Sequence, residues 1–499
     1  MGFKIVLLWT DVALWAMLAV SFGYTWRIRG NATLRATWLR VLRDPVAASA
    51  GAVMALFLLL TMVDSVHYRA ALGATDASRA AGAVFYETRT VSLLDKMLAR
   101  QIAMRETSYS KPLSYQGFNR EVVVPVDAVA GEAVESDVAV AAAPVQRDYP
   151  RLHFGGAHLA DPATQWAADL LYRIELGLGL GLLFAALLLA LLAAAIARAH
   201  GGFGQALRDI LADRTHYPLR AVWLTLTVVA LLSGPALVLM QHYHVFGTDR
   251  TGNDVFYQAL KSVRTAFVIG ALATLATLPF AVGLGLLAGY FKGWVDELIQ
   301  YLYTTLTSVP NVLLIAACVL MVQVFLDKNP DFYETGAERA DLKMFLLCVI
   351  LGLTGWAGLC RLVRGETLKL RELDYVQAAT AFGVSDLTIM ARHIAPNVMH
   401  LVLITVVLSF SELILYEAVL TYVGVGVDPS MNSFGGMINL ARSEMSRDPI
   451  VWWSFCAAFG FMVTLVLAAN LFADGVRDAF DPRARNLRPR VLSLTKAKA

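Results

Sequence analysis

The segment that decides the fold is Leu373–Asn397, with the sequence LDYVQAATAFGVSDLTIMARHIAPN. It is of mixed polarity and lies between two apolar runs, each long enough to cross a bilayer as a helix. Tyr375–Phe382 has apolar residues at helical spacing, which predicts a short helix. Gly383 is its predicted end, because glycine enters the left-handed conformation at little cost.

A second short helix is predicted directly after Gly383. Ser385 offers a side-chain oxygen as an N-cap, and Asp386 lies in the favourable first turn. Pro396 opens the following span, where its missing N–H does no harm. A structured helix–Gly–helix between two spans predicts a surface that a partner holds.

Composition indicates a helical membrane protein that crosses the bilayer several times. The 499 residues are 57% apolar and only 16% charged, whereas a soluble domain carries about a quarter charged residues. Its apolar residues fall in helix-length runs, which disfavours a β-barrel. The four cysteines lie in or beside apolar runs, so neither disulfides nor a metal site is expected. The nine predicted spans are approximately 5–24, 45–64, 174–197, 221–240, 265–288, 299–326, 344–363, 397–422 and 451–474.

The distribution of basic residues predicts the orientation. Arginine and lysine concentrate in 25–44, 198–220, 361–395 and the tail after Asp474, which nine spans place together in the cytoplasm. The net acidic loop 327–343 then lies outside. The N-terminus is predicted outside and the C-terminus in the cytoplasm.

The stretch 65–169 is too long for a simple connector and is predicted to be a small extracytoplasmic domain. Thr88–Met104 has the pattern of an amphipathic helix. Arg120–Val126 and Ser136–Ala142 alternate as strands do. The alternative is a partly disordered insert, since the stretch is rich in alanine and poor in large apolar residues.

The decisive segment resembles the EAA loop of ABC-importer permeases, which docks into the ATPase subunit. The matching positions are Gln377-Ala378-Ala379, Gly383 and Ile394-Ala395-Pro396. The surrounding residues are similar to the dipeptide/oligopeptide (peptide/nickel) branch of that family. Gln377 replaces the usual glutamate and Ala395 the usual leucine, so the charge that the glutamate would give to docking is absent.

Further motifs extend the resemblance over about 221–483. FGTDRTGNDV (246–255), LAGYFKGWVDE (287–297) and YEAVLTYVGVG (416–426) stand in the family order. The resemblance implies an all-α, type I ABC importer permease core of six spans, with about three extra N-terminal spans and the extracytoplasmic insert. Of the early spans, 221–240 is the predicted first core span, because it leads directly into Gly247. The predicted divisions are 1–64, 65–169, 170–220, 221–483 and a basic tail at 484–499.

The resemblance also implies two groups of site residues. The predicted ATPase-coupling residues are Asp374, Tyr375, Gln377, Ala378, Ala379, Gly383, Asp386, Arg392 and Pro396. The predicted residues of the translocation path or gate are Gly247, Asp249, Asp254, Pro310, Glu412 and Glu417. The glycines suit turns, the aspartates cap turns or helices, and Pro310 predicts a kink inside a span. Structural capping and hydrogen bonding remain the alternative role for these residues.

The implied function is a non-enzymatic permease subunit of an ATP-driven peptide importer in a bacterial inner membrane. Its implied partners are a paralogous permease, two ABC ATPase subunits, an extracytoplasmic substrate-binding protein and membrane lipid, with no nucleic acid. The chain has no phosphate-binding G-x-x-x-x-G-K-[ST] motif, so ATP and Mg²⁺ are expected on the ATPases and no cofactor on this chain.

The sequence leaves two other classes of function open. An ion-coupled secondary transporter would use Glu412 and Glu417 as a proton relay, since ionisable groups in spans face a bundle interior or water. No inverted repeat supports it. A membrane sensor built around 65–169 is a weaker rival, because it leaves the helix–Gly–helix without a purpose.

Overall fold

The computed structural model describes residues 3–72, 86–122 and 147–480, which are mostly helical. The N-terminal elements are β1 (Phe3–Val6), α1 (Trp9–Arg29), α2 (Ala32–Val41), α3 (Pro45–Asp64) and β2 (His67–Ala70). The insert then contributes β3 (Val91–Ser92), α4 (Leu93–Met97), α5 (Ala99–Ala103), β4 (Glu121–Val122) and β5 (Arg147–Asp148). Strands β1, β2 and β3 form an antiparallel sheet in that order, and β4 pairs with β5.

The remaining elements are helical. They are α6 (Pro162–Ile196), α7 (Phe203–Leu211), α8 (Leu219–Leu239), α9 (Val255–Phe291), α10 (Gly293–Ser308), α11 (Asn311–Lys328), a 3-10 turn (Pro330–Phe332), α12 (Gly336–Gly355), α13 (Ala357–Arg371), α14 (Asp374–Ala381), α15 (Asp386–Ile389), a π-helical turn (Met390–Ile394), α16 (Ala395–Tyr422), α17 (Phe434–Glu444) and α18 (Trp453–Phe480).

Seven helical segments of the described chain are long and apolar enough to cross a bilayer, and the bent pair α12–α13 forms an eighth if it is one span. The seven are α3, α6, α8, α9, α11, the stretch from α15 through α16, and α18. The predicted all-α polytopic fold is confirmed. The predicted first span, 5–24, is not among them. Its first residues belong to β1, and α1 carries Asp11 in its first turn and Arg27 and Arg29 in its last.

The predicted span 299–326 is two helices instead of one kinked helix. Helix α10 ends at Ser308, Val309 is extended with φ −90° and ψ 137°, and α11 begins at Asn311 after Pro310. Proline clashes with a helical conformation of the residue before it, so Val309 cannot continue α10. Pro310 is therefore an exposed break between helices.

Helix α9 is the centre of the bundle and contacts α3, α12, α13, α16 and α18. Half of its most apolar stretch is buried inside the chain, more than in any other candidate span of the described residues. Towards one end Val263 and Phe267 pack with Phe410 and Trp453. Towards the other end Ala281 and Tyr290 belong to a second apolar cluster, with Val363 and Ile394.

Helix α3 packs beside both α9 and α18. Small residues allow this close approach: a Cβ added to Gly475 of α18 would lie 2.3 Å from Cβ of Ala47 in α3. The predicted first core span, 221–240, corresponds to α8, which does lead into Gly247. Along its length, however, α8 packs on α6 and α3. A Cβ added to Gly234 of α8 would lie 2.3 Å from the carbonyl oxygen of Gly177 in α6, so these helices form a tight peripheral hairpin.

The insert contains two short helices where Thr88–Met104 predicted one. Residues 91 and 92 pair with β2, so no helix can begin before Leu93. The Ser92 hydroxyl accepts from the Asp95 N–H at 3.0 Å, and the Asp95 carboxylate accepts from the Ser92 N–H at 3.0 Å, a capping box. Of the predicted strand 120–126, residues 121 and 122 form β4. The predicted strand 136–142 lies outside the described residues.

Candidate functional site

The helix–Gly–helix predicted from the sequence is present, and it is called the coupling segment (residues 373–397) from here on. Gly383 has φ +75°, and it follows α14 as the predicted stop. The N–H of Gly383 donates to the Thr380 carbonyl at 3.0 Å, and that of Val384 to the Ala379 carbonyl at 3.1 Å. These bonds satisfy the free carbonyls at the end of α14 and fix the angle at which the chain leaves it.

The start of α15 differs in one detail from the prediction. Ser385 occupies the N-cap position, but its hydroxyl contacts the Thr388 hydroxyl at 2.7 Å and caps no backbone N–H. Asp386 lies in the first turn as predicted. A π-helical turn then joins α15 to α16, and Pro396 is the second residue of α16.

Asp386 ties the coupling segment to the end of α9. Its Oδ1 accepts a hydrogen bond from the Tyr290 hydroxyl at 2.7 Å. Arg371 donates to the Tyr290 carbonyl oxygen, and its guanidinium lies over the Tyr290 ring at 5.6 Å. The segment is thus attached to the last turn of the central helix by hydrogen bonds as well as by packing.

The coupling segment has buried apolar residues that pack on the bundle and others that are exposed. Val376, Ile389, Met390 and Ile394 pack into the apolar cluster around Tyr290. By contrast, Phe382 is 87% exposed and Leu387 is 72% exposed. The sequence reasoning missed both residues as site candidates, although an aromatic residue directly before the helix-ending glycine is a usable signal.

Most of the other predicted coupling residues are exposed as well. Tyr375 is 44% exposed, and its hydroxyl accepts from the Asn397 amide at 3.1 Å. Gln377, at the position of the family glutamate, donates to the Glu372 carbonyl at 3.1 Å. The exposed ones among the predicted residues are Asp374, Tyr375, Gln377, Ala378, Gly383, Asp386, Arg392 and Pro396, while Ala379 is partly buried.

The loop Phe246–Asp254 between α8 and α9, called the GTD loop, is organised by its two aspartates. Asp249 Oδ1 accepts from the N–H groups of Thr251 and Asn253 at 2.8 and 2.9 Å, and its Oδ2 from the Gln258 amide at 2.6 Å. Asp254 caps α9 by accepting from the Tyr257 N–H at 2.9 Å. The predicted capping roles are confirmed for both aspartates.

The glycines of the GTD loop are needed because the insert lies directly against them. Gly247 and Gly252 have φ +69° and +77°. A Cβ added to Gly252 would lie 1.8 Å from the Glu106 carbonyl oxygen, and one on Gly247 would lie 2.4 Å from that of Ser110. The loop carbonyl of Gly252 accepts from the Glu106 N–H at 3.0 Å. The turn is therefore shaped for the insert as well as for its own geometry.

A buried charged triad joins the insert to the start of α9. His244 Nδ1 lies 2.8 Å from Asp254 Oδ2, and its Nε2 lies 3.5 Å from Glu106 Oε1. Glu106 also accepts from the N–H groups of His153, Phe154 and Gly155 at 2.9 to 3.1 Å. Burial opposes charge here, but the neighbouring His244 imidazole and the backbone N–H groups lower the pKa of Glu106 to about 2. Burial likewise opposes the charge on His244, yet Asp254 and Glu106 raise its pKa to about 9.

A second buried ionic network surrounds the first turns of α9 and was not predicted. Arg264 lies 2.7 Å from Asp11 of α1 and 3.6 Å from Asp341 of α12. Lys261, one turn earlier, lies 2.6 Å from Asp64 of α3 and 3.0 Å from Asp95 of α4. The i, i+3 pair of cations at the start of an apolar run, together with Asp11 in the first apolar segment, was the available signal.

The two carboxylates of α16 are separated by the structure. Glu417 is fully buried, with Oε1 accepting from the Thr421 hydroxyl at 2.8 Å. Glu412 is exposed, on the same stripe as Leu408, Leu415 and Val419. Five residues along a helix place two side chains about 140° apart around its axis. The proposed relay through both groups is therefore not supported by their placement.

The comparisons with known proteins match this arrangement to one family. Residues 281–486 match the model of the "Binding-protein-dependent transport system inner membrane component" family. An oligopeptide transport system permease protein of Mycobacterium bovis is 31% identical over 245 residues, which are 49% of this chain and 78% of that protein. This chain belongs to that permease family.

Other relatives agree. A glutathione transport system permease protein of Pectobacterium atrosepticum is 32% identical, covering 49% of this chain and 74% of that protein. The oligopeptide transport system permease protein of Escherichia coli K12 is 30% identical, again over 49% of this chain and 74% of that protein. About half of this permease thus lies outside each alignment.

The triad makes the stability of this permease depend on pH in a defined direction. The pKa of His244 rises from 6.5 to about 9 on folding, so its stabilisation is complete below pH 6.5 and is lost as the pH rises through 9. We expect His244→Gln to lower the free energy of unfolding by about 3 kcal/mol at pH 7, and by much less at pH 10. Fluorescence-monitored thermal unfolding at both pH values measures this. His216→Gln, at an exposed histidine, is the control, and an equal loss for His244→Gln at both pH values contradicts the charged triad.

Proposed function

We propose that this permease is a subunit of an ATP-driven peptide importer in a bacterial inner membrane. It forms half of the translocation path with a paralogous permease and receives substrate from an extracytoplasmic binding protein. Two ATPase subunits hold ATP and Mg²⁺, and this chain holds no cofactor. The relatives are an oligopeptide and a glutathione transport permease, which supports the substrate class.

The single observation that carries the proposal is the coupling segment. It combines a bare apolar pair, Phe382 and Leu387, with a rigid attachment of Asp386 to the end of α9. Exposed apolar residues at a defined surface mark a partner site, and the attachment passes a displacement of that site into the core. In this proposal the coupling segment faces the cytoplasm, and the GTD loop and insert lie outside. The N-terminus then lies outside with the insert, since β1 pairs with β2 where the chain leaves α3. The C-terminus is cytoplasmic in this proposal.

The proposed mechanism is mechanical coupling. ATP binding closes the ATPases, the docked coupling segment moves with them, and α9 and α16 tilt as rigid bodies. The ATPases must bind the two permease conformations with different affinity, since otherwise no shift between them follows. Because Gln377 stands where the family has a glutamate, docking depends on shape and on apolar contact through Phe382 and Leu387.

Gly383→Val tests the angle of the coupling segment. Valine is strained at φ +75°, so the variant is expected to abolish transport and uncouple ATPase activity while still inserting in the membrane. Gly293→Val is the matched control, because Gly293 also has a positive φ (+58°), has open space around it and lies outside the coupling segment. Peptide uptake and ATP hydrolysis in proteoliposomes are measured together. Normal uptake by Gly383→Val would contradict the docking model.

Phe382→Ala tests the docking contact itself. Because the ring is 87% exposed, its removal costs the isolated permease little packing. We expect copurification with the ATPase subunit to fall by about tenfold or more, the loss of a contact worth at least ~1.4 kcal/mol. Phe332→Ala, at another exposed phenylalanine outside this surface, should copurify normally. Unchanged copurification of Phe382→Ala would refute the assigned contact.

Glu412 is proposed to face the path, and Glu417 to be structural. An exposed carboxylate within a span is costly against lipid and is stable beside water or a polar partner. We expect Glu412→Gln to reduce uptake of lysine-containing peptides more than that of neutral peptides, because a negative charge in the path favours cations. Glu417→Gln should not change this preference. An equal ratio of lysine-containing to neutral peptide uptake in Glu412→Gln and the parent chain would show that Glu412 does not face the path.

A further inference from the structure

A small polar pocket lies where the insert meets the start of α9. Its volume is about 210 Å³. Arg89, Gln101 and Arg105 line it from the insert, and Asn253, Tyr257 and Gln258 line it from the core. It belongs neither to the coupling segment nor to the stripe around Glu412. The insert and the core build this pocket jointly, and neither forms it alone.

The pocket carries an excess of positive charge. Arg89 and Arg105 are both exposed, and Arg105 Nε donates to the Thr251 carbonyl at 3.0 Å, which orients its guanidinium. The one carboxylate in the lining, Asp254, is already engaged by the Tyr257 N–H at 2.9 Å and by His244 at 2.8 Å. Two arginines without a free carboxylate between them favour an anionic group, and guanidinium binds carboxylate in a bidentate manner.

Gln101 adds a second requirement for the ligand, a hydrogen-bond donor beside the anionic group. Its side chain is buried, with 3% exposed, and its Nε2 donates to the Met240 carbonyl at 3.2 Å. This bond fixes the amide orientation, because Met240 offers only an acceptor. Gln101 Oε1 is buried and has no hydrogen-bond partner among the described residues. An unpaired buried acceptor is costly, so the site favours a ligand that brings an N–H donor.

We propose that this pocket binds the C-terminal residue of a peptide substrate. The carboxylate pairs with Arg89 and Arg105, and the last amide N–H approaches Gln101 Oε1. A peptide terminus carries these two groups on the same Cα, whereas the carboxylate of an acidic side chain is separated from its backbone N–H by one or two additional methylene groups. The volume is below the ~300 Å³ of sites for whole drug-sized ligands, so it admits one end of a peptide. The inference rests on the proposed peptide-importing function.

The test compares trialanine with trialanine amide on the assembled transporter in nanodiscs, without binding protein. Saturation-transfer NMR detects such weak binding directly. We expect trialanine to bind the parent transporter and the Arg89→Gln/Arg105→Gln variant to bind it about tenfold more weakly, the loss of a charge-assisted contact. The amide should bind both equally weakly. Arg100→Gln is the control, since Arg100 lies beside the pocket residue Gln101 in α5, contacts Gln241 and does not line the pocket.

The other outcomes overturn the proposal in distinct ways. Equal trialanine signals from the parent and the double variant eliminate the pocket as a peptide site. If the double variant binds trialanine normally but loses affinity for the liganded binding protein, the arginines dock that protein instead. Uptake in proteoliposomes with the binding protein distinguishes failure of the pocket from failure of the proposed function. If the parent transporter imports no peptide, the proposed function fails; if it imports trialanine and the double variant does so equally well, only the pocket fails.

Discussion

The structure depends on one continuous helix, α9, whose two ends are fixed by different parts of the chain. It has 37 residues, about 55 Å at the helical rise. Asp254 caps its first turn within the GTD loop, and Tyr290 in its last turn holds Asp386 of the coupling segment. Any displacement of the coupling segment therefore acts on a helix that begins at the insert. Pro279 lies inside α9 and removes one bond from its hydrogen-bond ladder, yet the helix continues through it to Phe291.

Buried charges at the start of α9 explain why the N-terminal elements belong to the same body as the core. Arg264 and Lys261 together contact acidic residues of α1, α3, α4 and α12. Replacing such charges by apolar residues can be neutral, but removing a single partner leaves an uncompensated buried charge and costs about 3–5 kcal/mol. The network therefore contributes geometric specificity: α1 and the insert must lie where their carboxylates meet these two cations.

Local sequence signals predicted the features that local physics controls. Gly383 ends α14 because its φ is positive, and Asp254 caps α9 because it directly precedes the first turn. Most of the spans followed from apolar runs. The run at 5–24 instead begins in β1 and carries Asp11, and Pro310 divided the run at 299–326 into α10 and α11. What could not be predicted depends on pairing across the chain. Glu106 and His244 are far apart in sequence, and the 1.8 Å conflict that requires Gly252 exists only once the insert is in place. The place of α3 beside α18 likewise requires knowing that Ala47 faces Gly475.

The insert changes what the GTD loop can do. In a bare loop, the glycines and aspartates would only form a turn and cap a helix. Here the same residues accept the insert backbone at Gly252 and complete the charged triad through Asp254. The pocket at this junction shares Asp254 and Tyr257 with the first turn of α9, while the coupling segment holds its last turn. A ligand in the pocket and a partner on the coupling segment thus bear on one helix. They influence each other only to the extent that each prefers one of its positions, and that influence is equal in both directions.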